Sequence, residues 1–237
     1  MSFEQEIEAN YVDGNGLVAP YRVTRDNVNG SDNGVTFTSE YFVILNQLGK
    51  VTTAHLDRFK GTIGRCFREP GLLSRSPHHP DQEGPDDYYG LAAACVALND
   101  PKLATDVVTY GKKHRWNFNN VTPGKFTGSS FLGRQPQLVC ALYSAAKKFT
   151  PFILPLRIYT ALVIAISCIR TPVTDTDSRR LAWLLIQATE PSSILCRLAA
   201  KIWRRRLLKA YGPTGLQAVS QIYYQADHPF IKYRPPV

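Results

Sequence analysis

Apolar residues recur at three- and four-residue intervals in segment after segment of this chain, and Gly or Pro closes most of those segments. Such a pattern writes amphipathic helices, whose buried stripe follows the 3.6-residue turn, and not strands, which alternate with a period of two. Phe37, Tyr41, Ile44 and Leu48 form one stripe before Gly49, and Leu56, Phe59, Ile63 and Phe67 form a second before Pro70-Gly71. Leu91, Ala94, Cys95 and Leu98 form a third, behind Asp86 or Asp87 as its cap. Asp100-Pro101 places a cap before a proline at the first helical position.

The first helix is predicted to start near Thr38 or Ser39, and the second at Thr52 or Thr53. Later helices are predicted from about Pro136, over Phe152 to Ile169, from Asp175 or Thr176, and from about Ser193 to Ala210. A short one is placed over Gly215 to Tyr224. The segment from Phe152 to Ile169 is apolar around most of its circumference, so it is expected to be the most buried. Pro155 and Arg157 interrupt it, which favours a core helix over a membrane span.

About eight or nine helices with no run of strands imply an all-α fold. The expected architecture is an array of antiparallel helical hairpins, α/α and partial-toroid-like, with long polar loops and extended termini. Residues 1–34 read as an irregular arm with turn clusters at Asp13-Gly14-Asn15-Gly16 and Asn29 to Gly34, and Leu17 to Val23 as a short extended piece. Residues 35–226 read as a single helical domain, and 227–237 as an extended, aromatic tail. The loops from Gly71 to Pro85 and from His114 to Arg134 are long enough to suggest function.

With 28 Lys and Arg against 19 Asp and Glu, the net charge of +9 favours acidic partners without choosing among them. The chain holds none of the recognised nucleic-acid modules, so specific nucleic-acid binding is not expected. Cys66, Cys95, Cys140, Cys168 and Cys196 each sit in an apolar helical pattern with no C-x-x-C pair. That reads as buried thiols formed in a reducing cytoplasm, not as disulfides or a zinc site. The acidic N-terminal hexapeptide lacks the apolar run of a signal peptide. P-loop, G-x-S-x-G, dinucleotide and H-E-x-x-H patterns are missing, which argues against those enzyme classes. No cofactor is expected.

Two constellations bear on chemistry. In an α/α array alternate helices begin at one end, which would bring Glu40 near Asp86 or Asp87; paired carboxylates are the minimum for glycoside hydrolysis. Tyr88 and Trp116 would then stack on sugar rings, and His114 would move protons. The competing reading makes the acids helix caps, the aromatics wedges between helices, and His114-Arg115 cations at a helix C-terminus. His78, His79 and Asp81 fit no established zinc spacing, and no metal site is expected. The second constellation is a basic stripe, Arg197, Lys201, Arg205 and Lys209 at four-residue steps, suited to solvent or to an acidic subunit.

Short motifs spread along the chain carry a resemblance. They are Asp32-Asn33-Gly34 with Thr38-Ser39-Glu40-Tyr41, Gly71-Leu72 with Arg75 and Pro77, and Asp86-Asp87-Tyr88-Tyr89-Gly90. Further along come Tyr110-Gly111 with His114-Arg115-Trp116, Arg134-Gln135-Pro136, Tyr211-Gly212-Pro213 and His228-Pro229-Phe230. Their order resembles a largely uncharacterised family of tailed-bacteriophage proteins. That resemblance implies a virion component at the tail or neck, made in the host cytoplasm and held by its termini to other virion proteins. The Asp-Asp placement is also similar, more faintly, to α/α-toroid hydrolases and lyases that process glycans.

Overall fold

The structure, a computed structural model, describes residues 2–26, 33–80, 84–118, 135–148, 150–170 and 176–211. Among them the fold is all-α apart from one small hairpin. Ser2 opens α1 (Phe3–Asn10) with a capping box: its hydroxyl accepts from the Gln5 N–H and the Gln5 side chain accepts from the Ser2 N–H. The first residues are therefore helical where an irregular arm was expected. Nor do they stand away from the body. Ile7, Tyr11, Leu17, Val18 and Ala19 are all buried in the chain's own core. Tyr41 donates to Glu8 at 2.7 Å, Glu4 meets His55 at 3.0 Å, and Arg58 pairs with Glu8. The predicted turn at Asp13 is present, its carboxylate accepting from the N–H groups of Asn15 and Leu17 at 2.8 and 2.9 Å. It returns the chain into an isolated bridge between Val12 and Val18.

Helix α2 (Gly34–Gln47) starts four residues before Thr38. No side chain caps it; instead the Val35 N–H reaches the Arg75 carbonyl at 3.2 Å, a partner far along the chain. Helix α3 (Thr53–Gly64) starts as predicted, with Thr52 and His55 forming a reciprocal cap. It stops short of Phe67, because Phe67–Glu69 and Leu72–Leu73 pair as an antiparallel hairpin, β1 and β2, around Pro70-Gly71. Gly71 has φ +92°, and a Cβ there would lie 2.4 Å from the Asp106 carbonyl oxygen, so the turn requires glycine on both counts.

The rest of the body is α4 (Pro85–Ala97), α5 (Lys102–Lys113), α6 (Pro136–Ala145), α7 (Ile153–Arg170), α8 (Thr176–Thr189), a 3₁₀ turn (Glu190–Ser192) and α9 (Ile194–Tyr211). Helix α4 lies in the middle, packed against α2, α5, α6 and α8. Every residue from Asp87 to Cys95 is buried. Small residues make this close approach feasible. A Cβ on Gly90 would sit 3.1 Å from the Thr36 Cα and the Ser39 Cβ of α2, and Ala92, Ala93 and Ala94 follow it.

The expectation that Phe152 to Ile169 is the most buried helix is corrected. In α7, Ile153, Leu156, Thr160 and Ile164 face inward, while Leu154, Ile158, Tyr159, Leu162 and Ile166 are exposed. Apolarity around a helix argues for burial on every side. Here α4 fills that position with smaller residues, and α7 lies outside it. Helices α7 and α9 pack on one another, with α7 also resting on α6 and α8.

Candidate functional site

The acids singled out in the sequence meet at the junction of α2, α4 and α8. Thr36 and Glu40 lie one turn apart on α2. The Thr36 hydroxyl donates to Asp87 Oδ1 at 2.7 Å, and Arg180 of α8 pairs through Nε with Glu40. Glu40, Asp87 and Arg180 are all buried, at 4%, 1% and 2% exposure. The Arg180 guanidinium also lies 4.6 Å above the Phe37 ring. Asp87 Oδ2 meets no hydrogen-bond partner among the described residues.

Burial pushes the Asp87 carboxyl up to about 8, the charge of Asp86 adding to that rise; the Thr36 bond and the Arg75 and Arg180 charges oppose it. Near neutral pH this carboxyl is largely protonated. Asp86 is half-buried beside it and folds back over Gly84. A Cβ on Gly84 would lie 2.2 Å from Asp86 Oδ1 and 3.1 Å from an Arg75 guanidinium nitrogen.

The capping role expected for these acids is not what the structure shows. The N-cap of α4 is Gly84, with Pro85 at the first helical position and no side-chain cap bond. Proline there moves the helix start upstream of both acids, and the Asp87 side chain turns to α2. The acids do occupy the first turn, where the helix dipole favours negative charge.

The aromatic residues proposed as a sugar platform are core residues. Tyr88 is fully buried, accepts from the Leu73 N–H at 3.0 Å and packs on Phe118 with ring centroids 4.9 Å apart. It ties β2 to the head of α4. Trp116 is 6% exposed and packs on Tyr143 with centroids 5.5 Å apart. A Cβ on Gly111 would lie 2.6 Å from the Trp116 ring. To return the indole onto α5, Arg115 and Trp116 both take left-handed backbone, with φ of 55° and 61°. His114 ends α5 and stacks on Tyr110 with centroids 4.1 Å apart, while the Arg115 side chain is exposed.

Neither a family model, nor a curated protein, nor a solved structure matches the chain.

Chemically, the junction is a buried lock more than an open site. A glycosidase requires one carboxyl group to reach the leaving oxygen and another to reach the opposite face of the sugar; Glu40 and Asp87 are both covered. The thiols of Cys66, Cys95, Cys140 and Cys196 are equally enclosed, and the Cys168 side chain lies outside the described residues. Burial raises Cys66 and Cys95 to about 12 and Cys140 to about 11, well above the range of a reactive cysteine. The described residues hold no group of three or more His, Cys, Asp or Glu side chains suited to a metal. Asp81, and the part of the second loop from 119 to 134, lie outside the described residues.

Two partners of this junction escaped the sequence reading. Thr36 falls before the predicted start of α2. Arg180 heads a four-step row with the buried Leu184 and Ala188. An arginine in line with an apolar stripe is the signal that would have marked it.

The basic stripe stands where predicted. Arg197, Lys201 and Arg205 are exposed on α9, and the buried Trp203 faces the other way. The Lys209 side chain lies outside the described residues. Arg204 is engaged by both Glu190 oxygens, at 2.8 and 2.5 Å. Beside the stripe, Ile194, Leu195, Leu198 and Ile202 are exposed too. Leu48 aside, every exposed large apolar side chain among the described residues lies at positions 152–166 or 194–202. None of the described helices is long and apolar enough to cross a membrane.

Proposed function

We propose that this chain is a structural component of a larger assembly and not an enzyme. The resemblance of its motifs further suggests that the assembly is a tailed-bacteriophage virion, with the chain at the tail or neck. One observation carries the assembly reading: exposed apolar surface is concentrated on the α7–α9 layer. Ten large side chains between 43% and 72% exposed amount to roughly 1,000 Å², beyond the few hundred that a monomer's largest patch usually reaches.

The expected division of labour shifts in one respect. Residues 2–26 use their apolar side chains on the chain's own core, so the α7–α9 layer takes over the docking role first given to the N-terminal arm. The tail, 227–237, remains the second clasp in this reading. A partial toroid of antiparallel hairpins would leave a cleft at its middle. Helix α4, enclosed by α2, α5, α6 and α8, occupies the middle, which favours a scaffold over a glycan-processing hydrolase or lyase.

The test is to purify virions of the phage that encodes the chain and count its copies by quantitative mass spectrometry. A fixed copy number that survives salt washing and follows the tail or neck fraction is the expected result. Washed particles lacking the chain would overturn the proposal.

A further inference from the structure

We infer that the outward face of α9, with the adjoining face of α7, docks an acidic amphipathic helix of another polypeptide; the inference rests on the assembly reading above. Helix α9 presents two columns side by side, each at four-residue steps. Ile194, Leu198 and Ile202 form the apolar column, and Arg197, Lys201 and Arg205 the cationic one. Residues four apart form the ridge that most often interlocks when helices pack. A partner helix with its own apolar ridge and an acidic flank would meet both columns in register, the acids lying opposite the cations.

The apolar share of the surface extends onto α7, whose stretch from Ile158 to Ile166 contains no charged residue. Together the two helices offer roughly the area that one side of a standard protein interface buries.

A second copy of this chain fits less well. A two-fold contact sets the same patch against itself, and would bring the α9 cations toward their own counterparts in a molecule of net charge +9. An anionic bilayer also fits less well. Interfacial helices carry cations along the polar face that borders their apolar one; here α9 exposes Arg197, Lys201, Arg205 and Arg206, but the larger α7 face has no charged residue between 158 and 166.

The experiment uses the full chain and two labelled synthetic helices, identical in their leucine ridge, one flanked by Glu and the other by Lys. Binding is read by fluorescence anisotropy across a salt series. The Glu-flanked peptide should bind about ten-fold tighter or better at low salt, with the gap closing as salt rises. Lys201→Glu with Arg205→Glu should reverse the preference. Leu198→Asp should weaken both peptides by about ten-fold, with an unchanged melting temperature showing that the variant folds.

Equal binding of the two peptides, or binding of neither, overturns the inference. So does self-association in sedimentation that Leu198→Asp abolishes, or binding to phosphatidylglycerol vesicles when the peptides do not bind. If the chain is in washed particles but the peptides are not distinguished, docking falls and the assembly reading stands. If the peptides are distinguished but the particles lack the chain, the assembly reading falls and the docking chemistry stands.

Discussion

Replacing Asp87 with Asn tests the buried junction most directly. In the fold the carboxyl is held up to about 8, chiefly by desolvation; in the unfolded chain it returns to the ordinary value of 3.8. Between those two values the folded state keeps a proton that the unfolded state has released. The slope of stability with pH is therefore negative. For this group, stability is greatest below about pH 4, falls as pH rises toward 8, and is level above. Each pH unit in the window is worth about 1.4 kcal/mol, so the full span is about 6 kcal/mol, a large part of the stability of an ordinary domain.

Asn keeps the shape of the neutral acid and can still accept from Thr36, but it cannot ionise. Asp87→Asn should thus exceed the wild type by only about 1.5–2 kcal/mol near pH 5 and by about 5 kcal/mol at pH 8. Urea unfolding of both proteins at pH 5, 6, 7 and 8 measures the difference, which should grow with each step. A variant less stable than the wild type by the same amount at every pH would refute the reasoning. It would mean that Asp87 is ionised in the fold and that Arg75 and Arg180 outweigh its burial.

Arg180→Met removes the cation that pairs with the buried Glu40 and should cost about 3–5 kcal/mol, while Glu40→Gln with Arg180→Met should recover part of that loss in the same urea assay. Gly90→Ala places a methyl 3.1 Å from α2 backbone and should lower stability by about 1–3 kcal/mol. Gly61→Ala, on the exposed side of α3 with nothing within 4 Å of its Cβ, should raise stability by about 0.5–1 kcal/mol; equal shifts for the two glycines in a thermal melt would count against the packing account. Tyr88→Phe removes the hydroxyl that meets the Leu73 N–H and should cost about 1–2 kcal/mol, with the Leu73 amide exchanging faster with deuterium.

Local signals in the sequence placed many of the elements. Thr52 starts α3 through a cap that its own neighbours complete, Gly49 follows α2 with φ of +65°, and Pro136 begins α6. The Asp13 turn, the buried Cys66, Cys95, Cys140 and Cys196, and the exposed cations of α9 were legible in the same way. The Ser2-Gln5 capping box was equally local but went unread, hidden by the turn-rich residues that follow it.

Other features depended on partners far along the chain. The start of α2 rests on the Arg75 carbonyl. The role of Asp87 rests on Thr36, 51 positions away, and that of Glu40 on Arg180, 140 positions away. Nothing near Tyr88 or Trp116 in sequence says whether an aromatic ring will meet a ligand or a neighbouring helix.

By itself, then, the sequence determined where helices form, because caps, turns and periodicity act over a few residues. Tertiary structure decided which helix is enclosed. Two segments were apolar enough for the centre, and the one with Gly90 and three alanines let four neighbours approach, while the bulkier α7 was left with an apolar face turned outward. Burial then decided the surroundings of the two acids, raising the hold of the Asp87 carboxyl on its proton and setting Glu40 against Arg180.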